Sequence, residues 1–195
     1  MIASLLPPGL FGAELRGSAQ VPALHPQEEI HVARAAEKRR SDFAAGRACA
    51  RAALAPLGLG EAVIATGKDG APLWPPGIAG SITHTGGYAA AVVSQAFSGV
   101  GVDAERVGGV TRDLWRRLFS EAEQAVLAAD DGVAATVMFS AKEAAFKARR
   151  LSRALGFRDI AIELGDGRFT AAYEGKILYG RYAVDDGLVL TLAWY

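Results

Sequence analysis

Residues 88–105, YAAAVVSQAFSGVGVDAE, decide the fold class because they contain two short apolar strands joined by a polar turn. Val and Ala dominate residues 88–94 and 99–105, which favours strands, and we expect the pair to form a hairpin. Apolar and polar residues also alternate near the end of the chain, which predicts further antiparallel strands. These strands are expected at residues 160–164, 169–173, 177–184 and 188–194.

Helical segments are predicted on both sides of these two strands. The Ala- and Arg-rich residues 30–57 have the composition of one long helix. Ser120 and Glu123 have capping-box spacing and open a short helix. A second long helix is expected at residues 133–150. Each half of the chain is therefore expected to combine helix with strands.

Glycine and proline divide the chain between these elements. Residues 67–87 are rich in both and predict a loop with little regular structure. The pair Gly108-Gly109 offers a linker, so we expect an N-terminal half at residues 1–107 and a C-terminal half at residues 108–195.

Composition limits the function classes. The 195 residues are 51% apolar and carry 21 basic and 21 acidic side chains, so no overall field favours nucleic acid or an anionic membrane. Cys49 is the single cysteine, which excludes an intramolecular disulfide and predicts an inert buried thiol. No apolar run approaches the ~20 residues of a membrane span. We expect a soluble cytoplasmic protein.

Two carboxylates occupy alternate positions in residues 101–105, GVDAE. The two-residue period of a strand places Asp103 and Glu105 on one face, and Val102 and Ala104 on the other. A proton, a basic side chain or a hard divalent cation relieves the repulsion between such carboxylates, and Mg²⁺ prefers oxygen ligands. The alternative is a solvated strand end.

Another carboxylate lies in residues 139–147, FSAKEAAFK. At about 100° per residue, Phe139 and Phe146 mark an apolar stripe, Glu143 falls on its edge, and Lys147 follows one turn later. This spacing places a carboxylate toward the interior. A solvent-exposed Glu–Lys pair, worth about 0.2–0.5 kcal/mol, is the alternative.

Two further segments suit a phosphate. Residues 80–87, GSITHTGG, combine hydroxyls and an imidazole with glycines that let backbone N–H groups approach an anion. Arg40, Arg47 and Arg51 occupy related faces of the first long helix, and arginine makes bidentate contacts to phosphate. The alternatives are a structural turn and a solvated basic face.

In this order, the four segments resemble the Sfp-like 4'-phosphopantetheinyl transferases, and most of all their siderophore-associated enterobactin-synthetase branch. The resemblance covers about residues 38–149. Its most specific parts are the Gly-(Val/Ile)-Asp-x-Glu strand, here residues 101–105, and the Lys-Glu-x-x-x-Lys helix, here Lys142 to Lys147. Both occur together with the Ser-x-Ser/Thr-His loop.

The resemblance implies two similar α+β halves related by a pseudo-two-fold axis, with coenzyme A in the cleft between them. It implies an enzyme that moves the 4'-phosphopantetheine arm of coenzyme A onto a serine of an acyl- or peptidyl-carrier protein. Adenosine 3',5'-bisphosphate would be released, and the pathway would be siderophore or other secondary-metabolite synthesis. We expect a monomer that binds neither nucleic acid nor a membrane.

Site residues follow by the same resemblance, position by position. Asp103, Glu105 and Glu143 would hold Mg²⁺, for which Mn²⁺ can substitute. Glu143 would also take the proton of the carrier serine, directly or through water, and Lys147 would protonate the leaving group. The residues expected to contact coenzyme A are Arg40, Arg47, Arg51, Lys68, Ser81, Thr83, His84, Lys142 and Lys147.

The carrier protein is the second expected partner. Carrier proteins usually present an acidic helix, so we expect docking on a local basic and apolar surface. Arg112, Trp115 and Arg116 are spaced as neighbours on one short helix and would form that surface.

The chain departs from the family pattern at three positions. Thr83 replaces the commoner serine, Phe139 stands where many relatives carry tryptophan, and Ala104 is smaller than the usual Ile or Val. Two other function classes stay open, a non-catalytic module that binds coenzyme A or a carrier, and a metal-dependent phosphohydrolase. The retained carboxylates and lysine argue against the binding module, which needs neither a base nor a proton donor.

Overall fold

The computed structural model describes residues 1–17, 23–129, 132–149 and 156–195. The helices within these ranges are α1 Ile2–Leu5, α2 Pro26–Glu29, α3 Glu37–Leu54, α4 Trp115–Leu118, α5 Glu121–Val126 and α6 Val133–Arg149. The strands are β1 Leu10–Arg16, β2 Ala79–Thr85, β3 Tyr88–Ser94, β4 Val100–Arg106, β5 Ala161–Leu164, β6 Arg168–Tyr173, β7 Lys176–Asp185 and β8 Leu188–Trp194. The α+β class predicted from the sequence is confirmed.

The strands form two antiparallel sheets, with the orders β1-β3-β2 and β4-β8-β7-β6-β5. The four strands predicted near the end of the chain are therefore confirmed, together with their antiparallel pairing. The hairpin predicted from β3 and β4 is wrong. Strand β3 already has β1 on one edge and β2 on the other, and β4 pairs with β8, from Val100 opposite Trp194 to Arg106 opposite Leu188.

Each sheet packs against one long helix. Helix α3 covers the first sheet, where Ala50 and Leu54 pack with Ala91 and Val93. Cys49 lies in the same core, and burial raises the pKa of its thiol to about 12, as expected for an inert cysteine. Helix α6 covers β4 and β8 of the second sheet.

A close approach of α6 to β4 depends on a glycine. A Cβ at Gly101 would overlap with the carbonyl of Ala144 and the backbone N of Ala148. Because glycine has no side chain, the helix lies directly on the strand. On the other face of β4, Val102 and Ala104 enter a core with α1 and β8. The predicted alternation of β4 is therefore confirmed, and its carboxylates face the helix side.

Two predicted elements have different bounds. The first long helix begins at Glu37 rather than at residue 30, after α2 and a turn. Residues 67–87, predicted as a loop, contain strand β2, which pairs with β3 along seven residues. The strand was missed because its polar side chains resemble those of a loop. The capping box of α5 is confirmed, since Ser120 and Glu123 each accept a hydrogen bond from the other's backbone N–H. Residue 150, the predicted end of α6, lies outside the described residues.

The division of the chain at residue 107 stays a prediction, and β4, which precedes it, hydrogen-bonds into the second sheet. No helix in the described part of the chain is both long and apolar enough to cross a membrane.

Candidate active site

Strands β2 and β4 lie side by side where the two sheets meet. The backbone N–H groups of Val102 and Ala104 donate to the hydroxyls of Ser81 and Thr83, so both strands run in the same direction. Helix α3 packs against β2 and α6 packs against β4. A cavity of about 550 Å³ opens at the starts of these two strands and is also lined by the end of α6, including Lys147. The predicted site residues found at this junction are Ser81, Thr83, Asp103, Glu105, Glu143 and Lys147.

Asp103 and Lys147 form the centre of the site. The Lys147 Nζ donates to Asp103 Oδ1 at 2.7 Å and to the Val102 carbonyl at 3.2 Å. The second carboxylate oxygen of Asp103 accepts from the Ser140 hydroxyl at 2.8 Å. Asp103 is 4% exposed, whereas the Lys147 side chain is 30% exposed. The strand motif and the helix motif therefore meet through one buried carboxylate.

Glu105 and Glu143 lie near this pair and are affected by it. Burial and the negative charge of Asp103 raise the pKa of Glu105 to about 7, against the attraction of Lys147. The same two causes raise the pKa of Glu143 above its usual value. The repulsion between Asp103 and Glu105 predicted from the sequence is therefore present in the fold, and Glu143 adds to it.

Asp103, Glu105 and Glu143 are not arranged as a complete set of metal ligands. Among the residues that the structure describes, no three Asp, Glu, His or Cys side chains stand close enough together to hold a metal ion. The ammonium of Lys147 neutralises Asp103 instead. Hard oxygen donors whose charges repel one another are nevertheless the chemistry that a divalent cation relieves. The ligand set Asp103, Glu105 and Glu143 stays a prediction, and its donors fit Mg²⁺.

His84 is the next-to-last residue of β2. Its Nε2 accepts from the Arg39 guanidinium at 3.1 Å, and its Nδ1 lies 3.8 Å from Asp42. Burial and the nearby cations lower the pKa of His84, although Asp42 acts in the opposite direction. The imidazole is therefore mainly neutral at pH 7 and stands beside an exposed arginine. Lys68 is exposed on the loop before β2.

The three arginines expected at coenzyme A occupy different environments. Arg40 is exposed and pairs with Glu29. Arg47 is 5% exposed and donates to the Ile64 carbonyl and the Thr66 hydroxyl. Arg51 is 8% exposed and donates to both carboxylate oxygens of Glu28. Arg51 therefore holds α3 to α2, whereas Arg47 holds α3 to residues 64–66, and the contact of either guanidinium with a ligand stays a prediction.

Lys142 differs from its expected role as a contact of coenzyme A. It is fully buried, and its Nζ donates to Glu123 Oε2 at 2.7 Å and to the carbonyls of Phe157 and Ile160 at 2.9 and 2.7 Å. An ammonium has three donors, so none is left for a phosphate. We therefore correct this assignment, and Lys142 anchors α6 to the neighbouring segments.

The basic surface expected for a carrier protein is present in part. Arg112 and Arg116 are exposed, and so is Arg117. Trp115 is only 8% exposed. The Arg112 guanidinium lies over the indole ring of Trp115, 5.0 Å from the ring centroid. The apolar part of the expected surface is therefore not supplied by this tryptophan. Val126 is 75% exposed on the next helix.

Sequence reasoning missed two residues of the site. Arg39, rather than Arg40, contacts His84, because one position along a helix turns a side chain by about 100°. Ser140 orients Asp103 and was not singled out. Ser140 lies one turn before Ala144 and two turns before Lys147, on the face of α6 toward β4. This spacing is the signal that could have identified it.

Two family models match the chain. The model for the 4'-phosphopantetheinyl transferase N-terminal domain matches residues 27–94. The model for the 4'-phosphopantetheinyl transferase superfamily matches residues 99–193. Together they include β2, β4, α3 and α6, the elements that meet at the junction.

Known proteins are similar over the same regions. The 4'-phosphopantetheinyl transferase Npt of Nocardia iowensis is 34% identical over 221 residues, with 100% of each chain covered. Enterobactin synthase component D of Escherichia coli (strain K12) is 40% identical over 165 residues, covering 81% of this chain and 78% of that protein. A solved structure, the holo-[acyl-carrier-protein] synthase of Thermotoga maritima, is 20% identical with a TM-score of 0.44, covering 50% of this chain and 62% of that one.

Proposed function

The chain belongs to the 4'-phosphopantetheinyl transferase superfamily, and on that basis we propose that it uses coenzyme A to convert apo carrier proteins to their holo forms. The 4'-phosphopantetheine arm passes to a serine of an acyl- or peptidyl-carrier protein, and adenosine 3',5'-bisphosphate leaves. The observation that carries this proposal is the 2.7 Å contact of Lys147 with Asp103, which joins the two motifs at one point.

The reaction breaks the phosphoanhydride bond in the pyrophosphate of coenzyme A and forms a phosphoester bond to the serine. The serine oxygen attacks the β-phosphorus of coenzyme A, and the bond from that phosphorus to the bridging oxygen breaks. Glu143 accepts the serine proton, and its raised pKa makes it a better acceptor than an ordinary glutamate. Lys147 donates a proton to the departing adenosine bisphosphate and is partly exposed, so it can reach a ligand. No covalent enzyme intermediate is needed.

Asp103, Glu105 and Glu143 are the residues that would hold Mg²⁺, or Mn²⁺ in its place. When bound, the cation would neutralise charge on the phosphate oxygens. Asp103 then has two tasks, because its carboxylate also fixes the Lys147 ammonium. Glu105 must lose its proton to serve as a ligand, so its raised pKa makes the site sensitive to pH near neutrality.

Contacts with coenzyme A are proposed for the exposed polar groups around His84. The Arg39–His84 pair presents a guanidinium and an imidazole to solvent beside the junction, which suits a phosphate. Lys68 and Arg40 are exposed and can add charge. Arg47 stays a candidate contact of coenzyme A, because it lies on a face of α3 related to that of Arg40.

The similarity to enterobactin synthase component D favours carriers of siderophore synthesis as partners. We also propose that the protein is a cytoplasmic monomer and that it binds neither nucleic acid nor a membrane.

Product analysis tests the proposal against the two alternatives. The protein is incubated with coenzyme A and Mg²⁺, with and without an apo peptidyl-carrier domain, and small molecules are separated by chromatography. We expect adenosine 3',5'-bisphosphate to appear only with the carrier. Its absence in both reactions would favour a binding module, and free phosphopantetheine without a carrier would favour a phosphohydrolase.

A further inference from the structure

Side-chain hydroxyls of β2 accept hydrogen bonds from the backbone of β4. Val102 N–H donates to Ser81 Oγ, and Ala104 N–H donates to Thr83 Oγ1, each at 3.1 Å. Ser81 and Thr83 are each 4% exposed. Among the described strands, β2 is paired only with β3, and β4 only with β8. On this edge of β4, two hydroxyls therefore take the place of a main-chain ladder.

Asp103 lies between the two anchored residues. Its own backbone faces β8, opposite Thr191, while the amides before and after it are fixed by β2. The Val102 carbonyl also accepts from Lys147, which in turn donates to the Asp103 carboxylate. One chain of contacts therefore leads from the Ser81 hydroxyl, through Val102, to the lysine at the centre of the site.

We propose that Ser81 and Thr83 are positioning residues, which set the place of β4 and with it the carboxylates Asp103 and Glu105. This inference rests on the proposed function and gives both residues a role other than the expected contact with coenzyme A. A buried amide that loses its acceptor is costly, so the strand shifts or opens when the hydroxyl is removed. The carboxylates move with the strand.

Thr83 offers the sharper test because valine keeps its shape and removes only the hydroxyl. The variants are Thr83→Val, Thr83→Ser, which retains the hydroxyl, and Thr170→Val, a matched control on β6. Amide hydrogen exchange is measured on the full chain by NMR. We expect exchange at the Ala104 amide to become roughly two- to tenfold faster in Thr83→Val. Thr83→Ser and Thr170→Val should match the parent.

Kinetics distinguish positioning from phosphate contact. In Thr83→Val we expect a lower kcat and a several-fold higher Mg²⁺ concentration at half-maximal rate, with the KM for coenzyme A nearly unchanged. Thr83→Ser should restore both values. A raised KM for coenzyme A with unchanged Mg²⁺ dependence would overturn the inference and return Thr83 to the phosphate.

Unchanged exchange at Ala104 in Thr83→Val would also overturn the inference. Hydrogen exchange needs no turnover, so its result stands even if the parent protein fails to modify a carrier. Failure of the proposed function and failure of this inference therefore give different results.

Discussion

The Nζ of Lys147 lies 2.7 Å from Oδ1 of Asp103 and joins helix α6 to strand β4. The ion pair is asymmetric, because the carboxylate is 6% exposed and the lysine side chain is 30% exposed. Asp103 is therefore fixed within the protein, while the lysine keeps access to a ligand. Such a pair can hold the lysine beside a phosphate as a proton donor while the lysine stays accessible.

Asp103, which is proposed to hold metal but not to take a proton, should differ from Glu143, which is also proposed to act as a base. Asp103→Asn should weaken Mg²⁺ binding, so extra Mg²⁺ should restore part of the lost rate. Glu143→Gln keeps an oxygen ligand but accepts no proton, and we expect kcat to fall about 10²–10⁴-fold without rescue by Mg²⁺. The measurement is the turnover number of each variant across a Mg²⁺ titration.

Glu163→Gln on β5 is the matched control, because that carboxylate is exposed. Binding of coenzyme A is measured in parallel to confirm that each variant is folded. If Mg²⁺ rescues Glu143→Gln as fully as Asp103→Asn, Glu143 is a ligand alone and the base lies elsewhere.

Glu105 should make the stability of the metal-free protein depend on pH. Its pKa is raised from 4.5 to about 7 in the folded protein, first by burial and then by Asp103. A raised folded-state pKa favours folding below the unfolded value, and this contribution is lost as pH rises through about 7. In Glu105→Gln this loss should be absent.

Chemical denaturation from about pH 4 to pH 8 measures the effect. The variant should match the parent at the acidic end and become the more stable protein at pH 8. Parallel curves for the two proteins across this range would show that Glu105 ionises normally.

Lys142 should be needed for stability, because its fully buried ammonium neutralises Glu123. Lys142→Met leaves that carboxylate without its partner, and breaking a buried pair costs about 3–5 kcal/mol. Lys38→Met is the control, since the Lys38–Asp42 pair is exposed and such pairs contribute about 0–1 kcal/mol. Urea denaturation gives both free energies of unfolding. Equal small losses would mean that Lys142 does not anchor α6.

The basic surface at α4 should recognise the carrier protein and not coenzyme A. We expect the double reversal Arg112→Glu/Arg116→Glu to raise the KM for the carrier while the KM for coenzyme A stays constant. The control reverses two other exposed cations, Arg168→Glu/Lys176→Glu on β6 and β7. Steady-state kinetics at two salt concentrations check the electrostatic origin. A similar loss for both substrates would contradict a docking role.

Local patterns predicted the elements because they depend on short stretches of chain. The two-residue period of β4 gave the faces of Val102 and Asp103 correctly, and the capping box at Ser120 predicted the start of α5. Pairing depends on distant segments. The partner of β4 is β8, near the other end of the chain, whereas the adjacent β3 suggested a hairpin.

Burial of polar residues was the least predictable feature. Lys142 belongs to a residue type that is almost never fully buried without a partner, and its partners come from two other segments, Glu123 on α5 and the carbonyls of Phe157 and Ile160. Ser81 and Thr83 show the same limit, because a hydroxyl facing a strand edge has the same sequence pattern as one facing a phosphate. Only the fold distinguishes these two arrangements.

Intact-mass spectrometry of a carrier protein directly tests whether the junction of β4 and α6 transfers the arm of coenzyme A to a carrier serine. Three apo carriers are incubated with the protein, coenzyme A and Mg²⁺: a siderophore peptidyl carrier, a polyketide acyl carrier and a fatty-acid acyl carrier. We expect at least one carrier to gain the mass of a single phosphopantetheine group. Its Ser→Ala form should gain none, and Glu143→Gln should transfer the group far more slowly. Unchanged mass in all three carriers, under conditions where coenzyme A binds, would contradict the account.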